Sequence, residues 1–236
     1  PLQKIREATL RTRKIGLGVM GWASMLICMQ ISYNSEEAIQ LADKVMAFIL
    51  EESIKKSREL AAEKGVFPAY KGSRLEKQGQ RLRNATLTTI APTGTISIIA
   101  GPCSSGIEPI FAVSYYRNVM DNDKLVEVDP QFEEAARRRG FYSRQLMEKI
   151  AETSSLQKIE GIPEDVKKIF VTAHDINPEW HVRMQAVFQK YTHNAVSKTV
   201  NFPHEATVED VRKSYILAYD SGCKGITIYR DGSREE

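Results

Sequence analysis

Cysteine is scarce in this sequence: Cys28, Cys103 and Cys223 are the only three in 236 residues, far apart and with no CxxC pair. That spacing excludes a disulfide framework and fits a reducing cytoplasm. The four histidines, His174, His181, His193 and His204, include no i, i+4 pair and no cysteine at zinc spacing, so no metal site is expected. No apolar run approaches the roughly 20 residues that cross a bilayer, and no signal peptide precedes the first helix, so neither membrane nor secretion is expected. Charge of one sign is not in excess. Thirty-three Lys and Arg against 30 Asp and Glu leave +3, which argues against a nucleic-acid polymer as partner. Internal repeats and low-complexity tracts are also lacking. The chain opens at Pro1 rather than Met, which points to a processed product or an excised piece.

What is present centres on Arg83 to Pro109, RNATLTTIAPTGTISIIAGPCSSGIEP. Ala85 to Ile90 is short, rich in Thr and Leu, and bounded by turn formers, so it reads as a buried strand. Pro92 and Gly94 break it, and Thr95 to Ala100 can begin a helix whose first turn carries free backbone donors. Such a helix start binds phosphate without a cationic side chain. Thr93, Thr95 and Ser97 add hydroxyls, and Gly94 has no Cβ to hold a ligand away from the backbone. The alternative is a turn that binds nothing, with the same hydroxyls capping their own helix.

Ahead of this stretch, Leu2 to Arg13 is basic and helix-compatible. Gly16, Gly18 and Gly21 match the dinucleotide fingerprint G-x-G-x-x-G, but Arg11 to Lys14 precede them instead of a hydrophobic strand. Close backbone packing is the better account of these glycines. Asn34 can cap the next helix, with Glu37 closing a capping box and Gly65 ending it. Leu41, Val45, Phe48, Ile49 and Leu60 fall near one stripe of this helix, which would be roughly 45 Å long at 1.5 Å per residue. Lys71 to Arg83 reads as a polar loop.

Beyond Pro109, Ile110 to Tyr116 reads as a strand whose Tyr115 and Tyr116 serve sheet packing or a stacking surface. Helices are expected from Asp129-Pro130 to Gly140, over Tyr142 to Glu152 and Pro163 to Phe170, and from Asn177-Pro178, where Met184, Val187, Phe188 and Tyr191 share a face. The basic run Arg137 to Arg139 complements a helix end. Ser197 to Phe202, a helix capped by Thr207 and Asp210 and stopped by Gly222, and Gly225 to Tyr229 form a βαβ unit with parallel strands. Active groups in such folds sit beyond the carboxyl ends of strands, which favours the phosphate reading of the Pro92 to Ser97 turn. Glu108 either orients substrate or ties down a turn, and His204 belongs to a loop.

Five segments carry a resemblance: KIGLGVMGWASML (Lys14 to Leu26), APTGTISIIAG (Ala91 to Gly101), SSGIEPIFA (Ser104 to Ala112), RMQAVFQKYTHNAVSKTVNFP (Arg183 to Pro203) and GCKGITIYRDGSR (Gly222 to Arg234). In this order, over nearly the whole chain, they resemble the carboxyl-terminal half of the catalytic barrel of ribonucleotide reductases, most closely the adenosylcobalamin-dependent class. The resemblance implies an α/β fold with residues 1–236 forming about half of a ten-stranded barrel, its parallel strands flanked by helices. It implies conversion of ribonucleotides to 2′-deoxyribonucleotides by thiyl-radical chemistry. Pro92, Thr93, Gly94, Thr95, Ile96 and Ser97 match the turn that holds substrate phosphates.

The same resemblance puts the radical cysteine, the two reducing cysteines and their Asn and Glu upstream of this region. No catalytic residue is therefore assigned in this chain, and none of the three cysteines matches. Adjacent tyrosines relay the radical in reductases with a separate small subunit, whereas Ile226 to Tyr229 holds one tyrosine. That favours adenosylcobalamin as cofactor, with contacts that cannot be placed on residues. The implied partners are a ribonucleoside di- or triphosphate, an amino-terminal half of the reductase and an external dithiol reductant. Open sheet edges make oligomers expected. The alternative is a non-catalytic split or degenerate fragment with a nucleotide-binding or assembly role.

Overall fold

Short extended segments run side by side in one direction and form the backbone of the structure. In a computed structural model, which describes residues 2–101, 103–118, 124–153 and 155–233, residues 15–17 lie beside 86–90, which lie beside 194–197. Leu17 donates its N–H to Leu87 O (2.7 Å) and accepts from Thr89 N (3.0 Å). Ile90 bonds in the same way to Ala195 O (3.3 Å) and from Ser197 N (2.8 Å). These offset pairs are the signature of parallel neighbours, and Leu17–Thr88 and Ile90–Val196 are parallel bridges. Pro1 and Arg234 lie outside the described residues.

The strip continues as β3 and β4, Thr199–Phe202 and Thr227–Arg230, parallel with Thr199 opposite Thr227. Between them runs α10, Val208–Asp220, so the predicted βαβ unit is present. Its capping box is complete: Thr207 Oγ1 accepts from Asp210 N, and the Asp210 carboxylate accepts from Thr207 N at 2.9 Å. Among the described residues the strip does not close, and the ten strands of a full barrel are not reached. Closure needs partners for both outer edges, and neither 15–17 nor β4 has a second neighbour there.

Helices pack around this strip. α1 (Gln3–Thr12) buries no residue and ends at Arg13 with φ 47°. α2 (Trp22–Cys28) buries Trp22, which meets Phe188 edge-on at 5.1 Å between ring centroids. α3 (Glu36–Lys64) is capped by Ser35, whose hydroxyl accepts from Ala38 N, and not by Asn34. Asn34 instead accepts from the Ser32 hydroxyl at 2.8 Å. Of the predicted apolar stripe, Leu41, Val45 and Ile49 pack against the core at its edge and Phe48 is exposed, while the fully buried residues of α3 are Ala38, Ala42, Met46, Ser57 and Ala61.

The expected loop 71–83 contains a short α4, Arg74–Lys77. The expected strand 110–116 divides. Ile110 bridges Thr172, whereas β1 (Ser114–Asn118) pairs antiparallel with β2 (Lys124–Val128), a hairpin the sequence reading did not anticipate. The remaining helices, α6 (Pro130–Arg138), α7 (Arg144–Thr153), α8 (Glu164–Ile169) and α9 (Pro178–Lys190), follow the expected order. Asp129 and Asn177 cap α6 and α9 with their side chains. The main core joins Leu26, Met46, Phe132, Ile150, Met184 and Phe188, and a smaller one packs Val182, Val200 and Phe202 against Ala218 of α10.

Gly18 permits the tightest contact in the strip. A Cβ there would lie 1.9 Å from Thr89 O, and one at Gly16 would lie 2.4 Å from Thr89 Cγ2. Gly18 thus serves close backbone packing, as predicted, whereas Gly16 makes room for the Thr89 side chain and Gly21 supplies the φ of 73° at the start of α2.

A polar cluster is buried where β3 begins. The Lys198 side chain is fully buried. Its ammonium donates to Glu108 Oε2 (2.7 Å), His181 Nδ1 (2.7 Å) and Thr199 O. Three N–H donors thus meet three acceptors. Because Nδ1 of His181 accepts, Nε2 carries its proton and donates to Ala173 O at 3.1 Å. Burial, reinforced by the Lys198 charge, pushes the imidazole down to about 3.

Two outcomes follow from this packing. Gly18→Ala forces the 15–17 and 86–90 segments apart and lowers unfolding free energy by about 1–3 kcal/mol, read by urea denaturation. His181 is neutral when folded but titrates near its ordinary value when unfolded, so protons favour the unfolded chain between pH 6.5 and 3. Stability contributed by His181 is therefore complete above pH 6.5 and lost as pH falls toward 3. In His181→Gln the pH dependence of unfolding over this range is shallower than in the unsubstituted protein.

Candidate functional site

α5 (Gly94–Ile99) begins directly beyond the carboxyl end of the 86–90 segment. Its N-cap, Thr93, has φ 57°, and Thr93 O accepts from Ser97 N at 2.9 Å. Among the described residues, the N–H groups of Gly94, Thr95 and Ile96 have no acceptor. These are the donors that a helix start leaves over. Pro92, Gly94, Thr95 and Ile96 are exposed, Thr93 is half-buried and Ser97 is buried. A Cβ at Gly94 would meet nothing within 4 Å, so the fold leaves the space before this residue open.

The hydroxyls of the turn divide into two groups. Ser97 Oγ donates to Gly94 O (3.1 Å) and lies 3.2 Å from Ser105 Oγ. Thr93 Oγ1 accepts from Gly106 N at 2.6 Å. Both work from inside the protein, and Thr95 alone presents a hydroxyl without a partner among the described residues.

Beneath α5 lies the turn 104–108, the platform on which it rests. Gly106 has φ 49°, and a Cβ there would come within 3.0 Å of Ala91 O. Gly21 N donates to Ser104 O (2.7 Å), Trp22 N to Gly106 O (3.2 Å), and Tyr33 Oη to Ile107 O (2.6 Å). Burial, with the nearby Glu108 charge, raises the Tyr33 phenol well above its ordinary range. Glu108 itself accepts from Lys198 Nζ and Thr199 N, each at 2.7 Å. Of its two sequence readings, the tie-down of a turn is the one these bonds describe. Lys198 and the role of His181 escaped sequence reasoning. The available signal was a lysine inside the segment Ser197 to Phe202, which reads as a strand.

Other singled-out residues are not drawn into this site. Tyr115 and Tyr116 lie exposed on β1, and the Tyr115 hydroxyl bonds Glu127 at 2.6 Å. Arg137 pairs with Glu133, and Arg139 with Asp165, so the basic run forms a solvated face. His204 sits in a loop beside Asp231 O. All three cysteines are free thiols. Among the described residues no cluster of His, Cys, Asp or Glu could hold a metal ion, and no helix is long and apolar enough to cross a membrane.

Comparison with known proteins matches this geometry to one family. The description "Ribonucleotide reductase, barrel domain" fits residues 1–229. A vitamin B12-dependent ribonucleoside-diphosphate reductase of Thermoplasma acidophilum is 57% identical over 99% of this chain and 30% of its own length. One of Mycobacterium tuberculosis is 48% identical over 100% of this chain and 34% of its length. Among solved structures, the Actinobacillus ureae class Id ribonucleotide reductase alpha subunit superposes with a TM-score of 0.82 at 29% identity, covering 96% of this chain and 40% of that one. The chain thus spans about a third of the length of the curated relatives it matches. With a parallel strip, a turn at a strand's carboxyl end and a match over residues 1–229, the chain belongs to the ribonucleotide reductase barrel-domain family.

Proposed function

We propose that this chain is the substrate-phosphate-binding portion of an adenosylcobalamin-dependent ribonucleoside-diphosphate reductase, and that residues 1–236 are about half of its ten-stranded catalytic barrel. The observation that carries this reading is the exposed turn Pro92, Thr93, Gly94, Thr95, Ile96 and Ser97. It offers three unpaired N–H groups and one free hydroxyl beyond the end of a parallel segment. Phosphate oxygens accept from such donors, and the open space before Gly94 admits them. Thr93 and Ser97 hold the turn's shape. Fixing the phosphates places the ribose at a constant distance from the reacting groups, which is the contribution positioning makes to rate.

The chemistry itself falls to groups outside this chain. The radical and reducing cysteines belong to an amino-terminal half, and an external dithiol restores them. Ile96, Ile98 and Ile99 are exposed around α5, as expected of a face that another part of the reductase covers. Adenosylcobalamin supplies the initiating radical in the relatives' class. Two grooves among the described residues, of about 390 and 470 Å³, are small for a corrin, and neither fits it. The first of them is lined by Ser32, Asn34, Gln157, Lys168, Val171 and Asp175. The contribution of this chain is then the positioning supplied by the turn at α5.

Gly94→Val places a branched side chain where phosphate would sit and touches no protein atom within Cβ reach. In the complete reductase the KM for a ribonucleoside diphosphate rises roughly tenfold or more, equivalent to about 1.4 kcal/mol, while the urea midpoint is kept. An unchanged KM counts against the phosphate-binding turn.

A further inference from the structure

We propose that Lys198 is a positioning residue for the substrate phosphates: clamped between Glu108 and His181, it fixes the turn 104–108 on which the Thr93 to Ser97 turn is built. The inference rests on the phosphate-binding reading of that turn and adds the device that holds it in place.

The argument begins with how little of α5 is buried. Ser97 is its one buried residue, and Ile96, Ile98 and Ile99 are exposed. Its own packing therefore cannot set the orientation of its N–H groups. That orientation comes from two contacts with the turn below, Gly106 N to Thr93 Oγ1 (2.6 Å) and the Ser97–Ser105 hydroxyl pair (3.2 Å). The far end of the same turn is Glu108, and both of its carboxylate oxygens are committed to the start of β3, one to Lys198 Nζ and one to Thr199 N. A continuous line of hydrogen bonds and a five-residue turn thus joins the ammonium to the unpaired donors.

The chemistry of the clamp requires lysine. Glu108, His181 and Thr199 O approach one nitrogen in a fully buried position. An ammonium supplies three donors around a single atom, whereas the guanidinium of arginine is a planar fork that does not fit three convergent acceptors. Removing the ammonium leaves the Glu108 carboxylate short of one partner and the His181 Nδ1 lone pair buried without a donor. The turn 104–108 then keeps a single bond from Glu108 to β3, the one from Thr199 N, in place of two.

The test uses the complete reductase carrying Lys198→Met, Glu108→Gln, the double substitution or Gly94→Val, with KM and kcat measured for a ribonucleoside diphosphate and stability by urea. The expected result is a roughly tenfold higher KM in Lys198→Met and in Glu108→Gln, a smaller change in kcat, and a double variant no worse than the more severe single one. Glu108→Gln keeps the test available if Lys198→Met does not fold, because that carboxylate is partly exposed. A lowered urea midpoint with unchanged KM in both variants, while Gly94→Val raises KM, reduces Lys198 to a purely structural role and overturns the inference alone. Additive KM effects in the double variant also overturn it. Unchanged KM in Gly94→Val removes the phosphate-turn reading and this inference with it.

Discussion

Burying a lysine ammonium is among the costliest things a fold can do, and the structure depends on how that cost is met. An unpaired ion in the interior is unfavourable by several kcal/mol, and removing one partner of a buried pair typically costs about 3–5 kcal/mol. Lys198 is tolerated because Glu108, His181 and Thr199 O saturate it. The acceptors come from a loop, from α9 and from the start of β3, so satisfying the charge locks three separate elements together. Glu108 is partly exposed, and through the turn 104–108 it links this locked region to the exposed turn at α5.

The parallel strip obeys a second constraint, the close approach of residues 15–18 to 86–90. Thr89 O occupies the place where a side chain at position 18 would begin. The Thr89 region is therefore held between Gly16 and Gly18 on one side and Ala195 on the other. The chain leaves this clasp at Ile90 and reaches α5 within four residues. The turn is thus fixed at both ends, by backbone contact upstream and by the 104–108 platform on its inner side.

Much of this was legible in the sequence where the signal is local. Thr207, Asp210 and Gly222 marked the ends of α10, and the βαβ unit followed from them. Asn177-Pro178 and Asp129-Pro130 likewise announced α9 and α6. Local rules blur where two residues can do the same work, so the cap of α3 fell to Ser35 and not to its neighbour Asn34. They fail where tertiary fit decides. Leu41, Val45 and Ile49 of the predicted stripe do pack against the core, but the fully buried positions of α3 are mostly alanines and Phe48 of the same stripe is exposed. The clamp was invisible for the same reason, since Glu108 and Lys198 stand 90 positions apart and no motif joins them. The turn itself was legible as a chemical possibility, but which hydroxyls face inward depends on Ser105 and Gly106, whose approach comes from tertiary packing.

Thr93 shows what the turn's shape demands. A β-branched residue at φ 57° sits in a backbone region that costs it on the order of 1–3 kcal/mol. Glycine would adopt the same conformation without strain, but it has no oxygen to receive the Gly106 N–H. Valine would carry the strain and also lack the acceptor. Backbone relaxation and the bond to Gly106 therefore pull in opposite directions at this position. A threonine held there by a 2.6 Å hydrogen bond trades intrinsic stability for a turn whose shape is fixed in advance.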